Sequence, residues 1–422
     1  MPSIALEFPL DVAGSRLARL ATKETAVETR KAKFVARLAS LVVVSLLGFR
    51  RSATQFHPSR GAAAGQPVSR RAEAGLTAES GFSVREYVGN LVWSNRLFGR
   101  GGSPPFRNRV RFFLRCLLHP KASHLWFSYL RSRAIPRRGT PLWEILQYPH
   151  KPFFDQQQRP IEKARLLTSS YEFCRAIFGD ALFHALIEGE KLQLAELSTK
   201  HAETVRLYVS QDRRFLREGT LSLSIAHDRE AIVSLSYTFA LLEGNRVALV
   251  GCVQATAQDA LPKIRRLTKE CFGIQPRLLL IEVLRSLCSL CRIDRIEAVG
   301  NENHIYRTPR YRRKKNISMN YDALWEMAGG RRQSNGNYFL PLRSHGKPLE
   351  TYPSRKRAEH RNRHRLVETM DLQIRAALWM RRSTALGAST LAALREQFDI
   401  ALIEGARLGL TYASELSFWA AG

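Results

Sequence analysis

The sequence predicts an α+β protein: a central, mostly antiparallel sheet flanked by helices, with a helical region before it and helices after it. Three observations predict this. Between Arg246 and Tyr306 the order is a strand (Arg246–Thr256, RVALVGCVQAT), two helices (Asp259–Phe272 and Gln275–Cys291) and an apolar strand from Arg295 that opens into the polar loop Gly300–His304. Upstream, Ala231–Leu242 reaches Arg246–Thr256 through Glu243-Gly244-Asn245, a hairpin in which Gly and Asn are expected to supply the positive φ values of a tight turn. Along the first of these strands Ser234, Ser236 and Thr238 alternate with Val233, Leu235, Tyr237 and Phe239, the pattern of a sheet covered on one face.

The other elements follow in order. Residues 1–80 form a variable basic extension, loop-like over Ser59–Gly75, with one apolar run at Leu38–Phe49. That run is shorter than the roughly 18 apolar residues a spanning helix needs, so its basic flanks leave peripheral membrane contact as the alternative to a non-core extension. A helical region at 81–200 holds Arg85–Phe98, Arg107–Leu118, Ala122–Arg133, Pro160–Phe178 and Asp180–Glu190, the last two joined at Gly179. Leu146–Phe154 (LQYPHKPFF) reads as extended and proline-punctuated, with His150-Lys151 in a fixed turn. The sheet-containing core occupies 201–345, with further strands at Val205–Ser210, Thr220–His227 and Tyr338–Leu342 and a short helix begun by Asn320–Trp325. A basic helix from Ser354 to about Met380 and an Ala- and Leu-rich helical tail make up 346–422. No period of about 20–50 residues recurs, which argues against a solenoid.

The 45% hydrophobic and 9% aromatic residues exclude wholesale disorder. Charge is the anomaly: 66 Lys+Arg against 37 Asp+Glu gives +29, a field that draws in anions. Six cysteines sit mostly in apolar runs, which reads as buried thiols in a reducing compartment. Cys288-Ser-Leu-Cys291 matches CxxC, but no second pair or His partner stands near it, so helix packing is the better account and no metal site is expected.

Candidate ligand residues cluster where the apolar strand ends. Asn301, Asn303 and His304 can donate and accept hydrogen bonds, and His304 is a candidate acid or base near neutral pH; the structural alternative is that they cap the turn. Gln254, at the end of the neighbouring strand, is expected to point into the same crevice. Tyr321, Asp322 and Trp325 form a compact group in which Asp322 is a catalytic candidate or a helix cap, and Trp325 is core. Arg355, Lys356, Arg357, Arg361 and Arg363 are candidates for gripping phosphate or carboxylate, with a solvated basic face as the alternative. The expectation is an anion-binding hollow between Asn301/His304 and Arg357/Arg361.

The chain resembles the VirK/YbjX family of proteobacterial proteins. The matching residues are Tyr148-Pro-His-Lys-Pro152, Ser170-Tyr171-Glu-Phe173, Gly251-Cys-Val-Gln254, Thr268-Lys-Glu-Cys-Phe-Gly-Ile-Gln-Pro-Arg277, Val299-Gly-Asn301, His304, Tyr321-Asp322, Trp325, Phe339-Leu-Pro341 and the block Arg355-Lys-Arg357 to Arg363. They span residues 110–380 as one unit, and Ser170 stands where the pattern has histidine. The resemblance implies association with the bacterial envelope and with stress and virulence, and no established reaction.

Two function classes follow. In the first, a cytoplasmic protein, peripheral on the inner membrane, engages an anionic ligand or surface, with membrane lipid or lipopolysaccharide favoured over nucleic acid and no cofactor needed; no zinc finger, RRM or helix-turn-helix signature is present. In the second, it is an acyltransferase-like enzyme using an acyl-CoA-type cofactor, because the order from Ala231 to Asn301 resembles the N-acetyltransferase fold. That fold expects a glycine-rich loop after the central strand, and this chain has Ala255-Thr-Ala-Gln-Asp259.

Overall fold

The computed structural model describes residues 82–97, 105–135, 142–155, 158–227, 230–257, 259–308, 319–344 and 348–383. The extension at 1–80 with Leu38–Phe49, most of the basic run Arg307–Lys315 and the tail beyond Ser383 lie outside the described residues.

Three helices open the described chain: α1 (Val84–Leu97), α2 (Phe106–Leu118) and α3 (Pro120–Ser132), the last with its proline in the first turn, where no N–H is missed. The short α4 (Leu142–Leu146) leads into a 3₁₀ turn, Tyr148–His150. That turn corrects the extended reading of Leu146–Phe154: Pro149 starts a tight turn and Tyr148 and Phe153 are core. α5 (Pro160–Glu188) breaks at Gly179, whose φ of 76° suits a residue without a Cβ.

Among the described residues eight strands form one sheet. They are β1 (Leu192–Ser198), β2 (Thr204–Ser210), β3 (Leu221–His227), β4 (Glu230–Leu242), β5 (Asn245–Ala255), β6 (Arg295–Ala298), β7 (Arg331–Arg332) and β8 (Tyr338–Leu340). Their order across the sheet is β1-β2-β3-β4-β5-β6-β8-β7, and only β5 and β6 run parallel. The crossover between those two is α6 (Ala260–Glu270) followed by α7 (Pro276–Leu290). α8 (Tyr321–Met327) and α9 (Ser354–Ser383) complete the set. β1 was not expected: its alternation is interrupted by an irregular register between Gln193 and Ala195.

α5 and α7 pack on β4, and α9 lies across α7 and the outer strand β1. Val233, Leu235, Tyr237 and Phe239 bury here, Phe239 meeting Phe173 of α5 and Tyr237 edge-on. Trp126, Tyr171 and Phe183 continue the core edge-to-face, with Trp126–Tyr171 centroids 5.3 Å apart, a geometry worth about 0.5–1.5 kcal/mol beyond area burial. All six cysteines are buried and free.

Two local expectations need correction. In the β4–β5 hairpin the positive φ values fall on Glu243 (51°) and Gly244 (78°), not on Asn245, which already belongs to β5. Ser234, Ser236 and Thr238 do not face water; all three are buried, so the sheet is covered on both faces. Alternation of hydroxyl and apolar side chains marks two environments, and here neither is solvent.

Candidate functional site

β5 is the strand that shapes the site. Its parallel ladder with β6 runs only from Val247↔Arg295 to Val250↔Ala298, closed by Val299 N–H donating to Val250 O at 2.9 Å. At that point β5 carries an extra residue: Tyr237 pairs with Val250 and Ser236 with Cys252, which leaves Gly251 as a bulge. β5 then continues along β4 to Ala255 while the chain after β6 turns away.

The loop between β2 and β3 crosses the sheet over this bulge. Asp212 opens it by accepting from Arg214 N–H at 2.9 Å. Two glycines allow the backbone to lie against the strands: a Cβ on Gly251 would sit 1.8 Å from Glu218 O, and one on Gly219 2.5 Å from Tyr237 N. Glu218 is thereby carried to full burial. Its Oε1 accepts from Gln254 Nε2 at 3.0 Å, and the Tyr306 phenol lies near the same carboxyl group. Burial, then the charge of Glu218, pushes the Tyr306 pKa up, so this phenol stays protonated. Tyr321 lies on the same side, its pKa raised chiefly by burial. Small polar side chains continue this buried face, with Ser222 beside Ser236, Ser224 beside Ser234, and Ser234 beside Gln254.

His304 closes the far side. Its ring is stacked on Tyr321 at 4.9 Å and 11°, and Tyr321 on Trp325 at 5.9 Å. Nδ1 accepts from Tyr306 N–H at 3.3 Å, which assigns the proton to Nε2. Burial first, and Arg307 second, lower its pKa to about 4, out of the neutral range expected for it.

The remaining candidates separate. Asn301 is a fastener: its N–H donates to Asp322 Oδ1 at 2.8 Å, its Nδ2 to Asn320 Oδ1 at 2.9 Å, and its Oδ1 accepts from Tyr321 N–H at 2.9 Å. Asp322 is thus engaged by the loop, and the N-cap of α8 is Asn320, accepting from Ala323 N–H at 3.2 Å. Asn303 Nδ2 donates to Asn335 O at 2.6 Å and to Asn337 Oδ1 at 3.0 Å. Trp325 Nε1 donates to Val299 O at 2.9 Å and holds the end of β6.

The arginines are elsewhere. α9 packs against β1, five strands from β6, so the expected hollow between Asn301/His304 and Arg357/Arg361 is not formed. Arg363 reaches Phe272 O and Glu359; Arg357 donates to Tyr352 O and Glu350 O at the start of α9; Arg355, Lys356 and Arg361 are exposed. The reason is topological: a helix that follows the last strand in sequence is free to return to the first strand in space.

His304 and Tyr321 stack on one side of this cluster and Gln254 bonds Glu218 on the other, while Glu218 and Tyr306 are additions. Nothing local distinguishes Glu218 in Arg217-Glu218-Gly219, which reads as a charged turn; only the long-range approach to Gly251 buries it.

A family model described as "Protein of unknown function (DUF535)" matches residues 103–376. The chain is 29% identical over 274 residues to the Escherichia coli (strain K12) "Uncharacterized protein YbjX", covering 63% of this chain and 82% of that one. It is also 25% identical over 224 residues to an "Uncharacterized protein" of Haemophilus influenzae, covering 53% and 73%. The matched span contains the loop, the sheet and the polar cluster.

Proposed function

The chain belongs to the VirK/YbjX family, that of the DUF535 model, and from that premise we propose an acyl-transfer enzyme on an N-acetyltransferase-like sheet, with a thioester donor and an amine or hydroxyl acceptor. The observation that carries the proposal is the parting of β5 from β6 at the Gly251 bulge. A thioester arm is a thin, amide-bearing chain, and a strand edge that has left its neighbour offers it backbone partners. Glu218, Gln254, Tyr306 and Tyr321 gather at the same point, and buried polar groups in such number are costly unless used.

In the proposed step the acceptor nitrogen or oxygen attacks the thioester carbonyl and its proton passes to the Glu218 carboxylate. The new carbon–nitrogen or carbon–oxygen bond forms as the carbon–sulphur bond breaks. The leaving thiolate takes up the proton, which restores the carboxylate. Gln254 and Tyr306 orient Glu218 for this exchange.

The residues after β5 do not fit the nucleotide diphosphate of acyl-CoA. Asp259, with φ 51°, brings a carboxylate to the start of α6, and no glycine in 255–259 opens a cradle for phosphate. The test is thiol release from S-acyl pantetheine by the full chain with a panel of primary amines and alcohols. Release that falls by roughly 100-fold in Glu218→Gln is expected; no release across the panel, or release unchanged in Glu218→Gln, contradicts the proposal.

A second reading has its own observation. α2 turns Arg107, Arg111, Leu114 and Leu118 outward, with Leu114 54% and Leu118 72% exposed, while Phe112, Phe113 and Cys116 face the core. An apolar stripe between arginines suits an anionic surface, membrane lipid or lipopolysaccharide before nucleic acid. No described helix is long and apolar enough to cross a membrane; the contact in this reading is a peripheral one, on the cytoplasmic face of the inner membrane. The family resemblance supports a place at the envelope in stress and virulence. Flotation with anionic but not zwitterionic vesicles, lost in Leu114→Asp/Leu118→Asp, is the expected result; equal flotation of the variant contradicts it.

A further inference from the structure

The misfit at Asp259 raises the question of what carries the donor. α6 begins at Ala260, five residues after β5 ends at Ala255, so its first turn, with Leu261, is the part of the helix nearest to the free half of β5. That face is specific in composition. Leu261, Arg265 and Lys269 recur at i, i+4 and i+8 and are all exposed, Leu261 by 67%, with exposed Pro262 beside them. Leu267 and Glu270 point inward. Lys263 and Arg266 on the flanks pair with Glu230 and Glu203, but no ion pair among the described residues engages Arg265 or Lys269.

From this surface we infer that α6 docks an acidic carrier protein presenting the acyl group as a thioester on a phosphopantetheine arm. The inference rests on the acyl-transfer reading and names its donor. A tethered donor needs no nucleotide cradle, which removes the conflict with Asp259. Charge complementarity selects an acidic partner, and the exposed leucine at the head of the basic stripe selects a protein, because a helix supplies apolar and acidic side chains together whereas a phosphate backbone supplies only charge.

The test measures binding of the full chain to octanoyl-loaded bacterial acyl carrier protein, with S-octanoyl pantetheine and total transfer RNA as separate arms. Carrier binding that weakens about tenfold or more in Leu261→Asp and in Arg265→Glu/Lys269→Glu is expected, with S-octanoyl pantetheine binding unchanged as the control for folding. Carrier binding unaffected by these changes overturns the docking site. S-octanoyl pantetheine binding as tightly as the loaded carrier, or transfer RNA displacing the carrier from α6, overturns the inference and leaves acyl transfer standing. Failure to bind either thioester overturns both.

Discussion

Glu218 Oε1 and Gln254 Nε2 meet at 3.0 Å across the point where β5 leaves β6, joining a loop of the β2–β3 connection to the end of the bulged strand. Glu218→Ala strips the acceptor from the half-buried Gln254 amide and leaves a void where a fully buried carboxyl stood, and should cost about 1–3 kcal/mol. Glu218→Gln keeps shape and some hydrogen bonding and should cost less. Urea unfolding of the two variants checks the ordering; an alanine variant as stable as the parent refutes the described cluster.

Gly251→Ala places a methyl 1.8 Å from Glu218 O, against backbone that cannot swing aside as a side chain would. The loop must lift or the bulge must flatten, at about 1–3 kcal/mol. A lower unfolding midpoint with loss of Glu218-dependent thiol release is the expected pair of results. A neutral substitution would mean the loop does not touch β5.

Two buried histidines make stability depend on pH. Burial is the main cause in both, holding the pKa of His304 at about 4 and of His150 at about 3. Both lie below the unfolded value near 6.5. The unfolded chain therefore gains protons first, so stability is complete above pH ~6.5 and drains as pH falls towards 4 and then 3. His304 alone accounts for about 3 kcal/mol of that loss by pH 4. Unfolding free energy measured against pH should flatten in His304→Gln; an unchanged slope counts against burial of the imidazole.

Asn301→Ala removes the side chain that links Tyr321 N–H and Asn320, and should lower stability by about 1–2 kcal/mol. Because Asn301 acts on position, its loss should leave the pH profile of thiol release unshifted while reducing its rate. A displaced pH profile would instead give Asn301 a part in proton transfer.

What could be read from residues alone was local. The break at Gly179, the β4–β5 hairpin and the crossover helices each follow from a few neighbouring side chains. Gln254 and His304 stand out because polar groups end an apolar pattern, and Tyr321 because it opens a compact group with Asp322 and Trp325. Glu218 does not, because its burial depends on two glycines, one 33 residues away at Gly251, letting backbones touch. The arginines of α9 were assigned to the wrong edge for a similar reason: their charge is visible in the sequence, but their position depends on α9 returning to β1. Asn301 was weighed between ligand and fastener, and three hydrogen bonds make it a fastener.

The most direct test is hydrogen–deuterium exchange across β5 with S-octanoyl pantetheine added to the full chain. Slower exchange confined to residues 251–255 and the 300–306 turn, with α2 and α9 unchanged, is the predicted result. Identical exchange with and without saturating thioester would mean that the parting of β5 and β6 receives no arm, and the acyl-transfer account would be wrong.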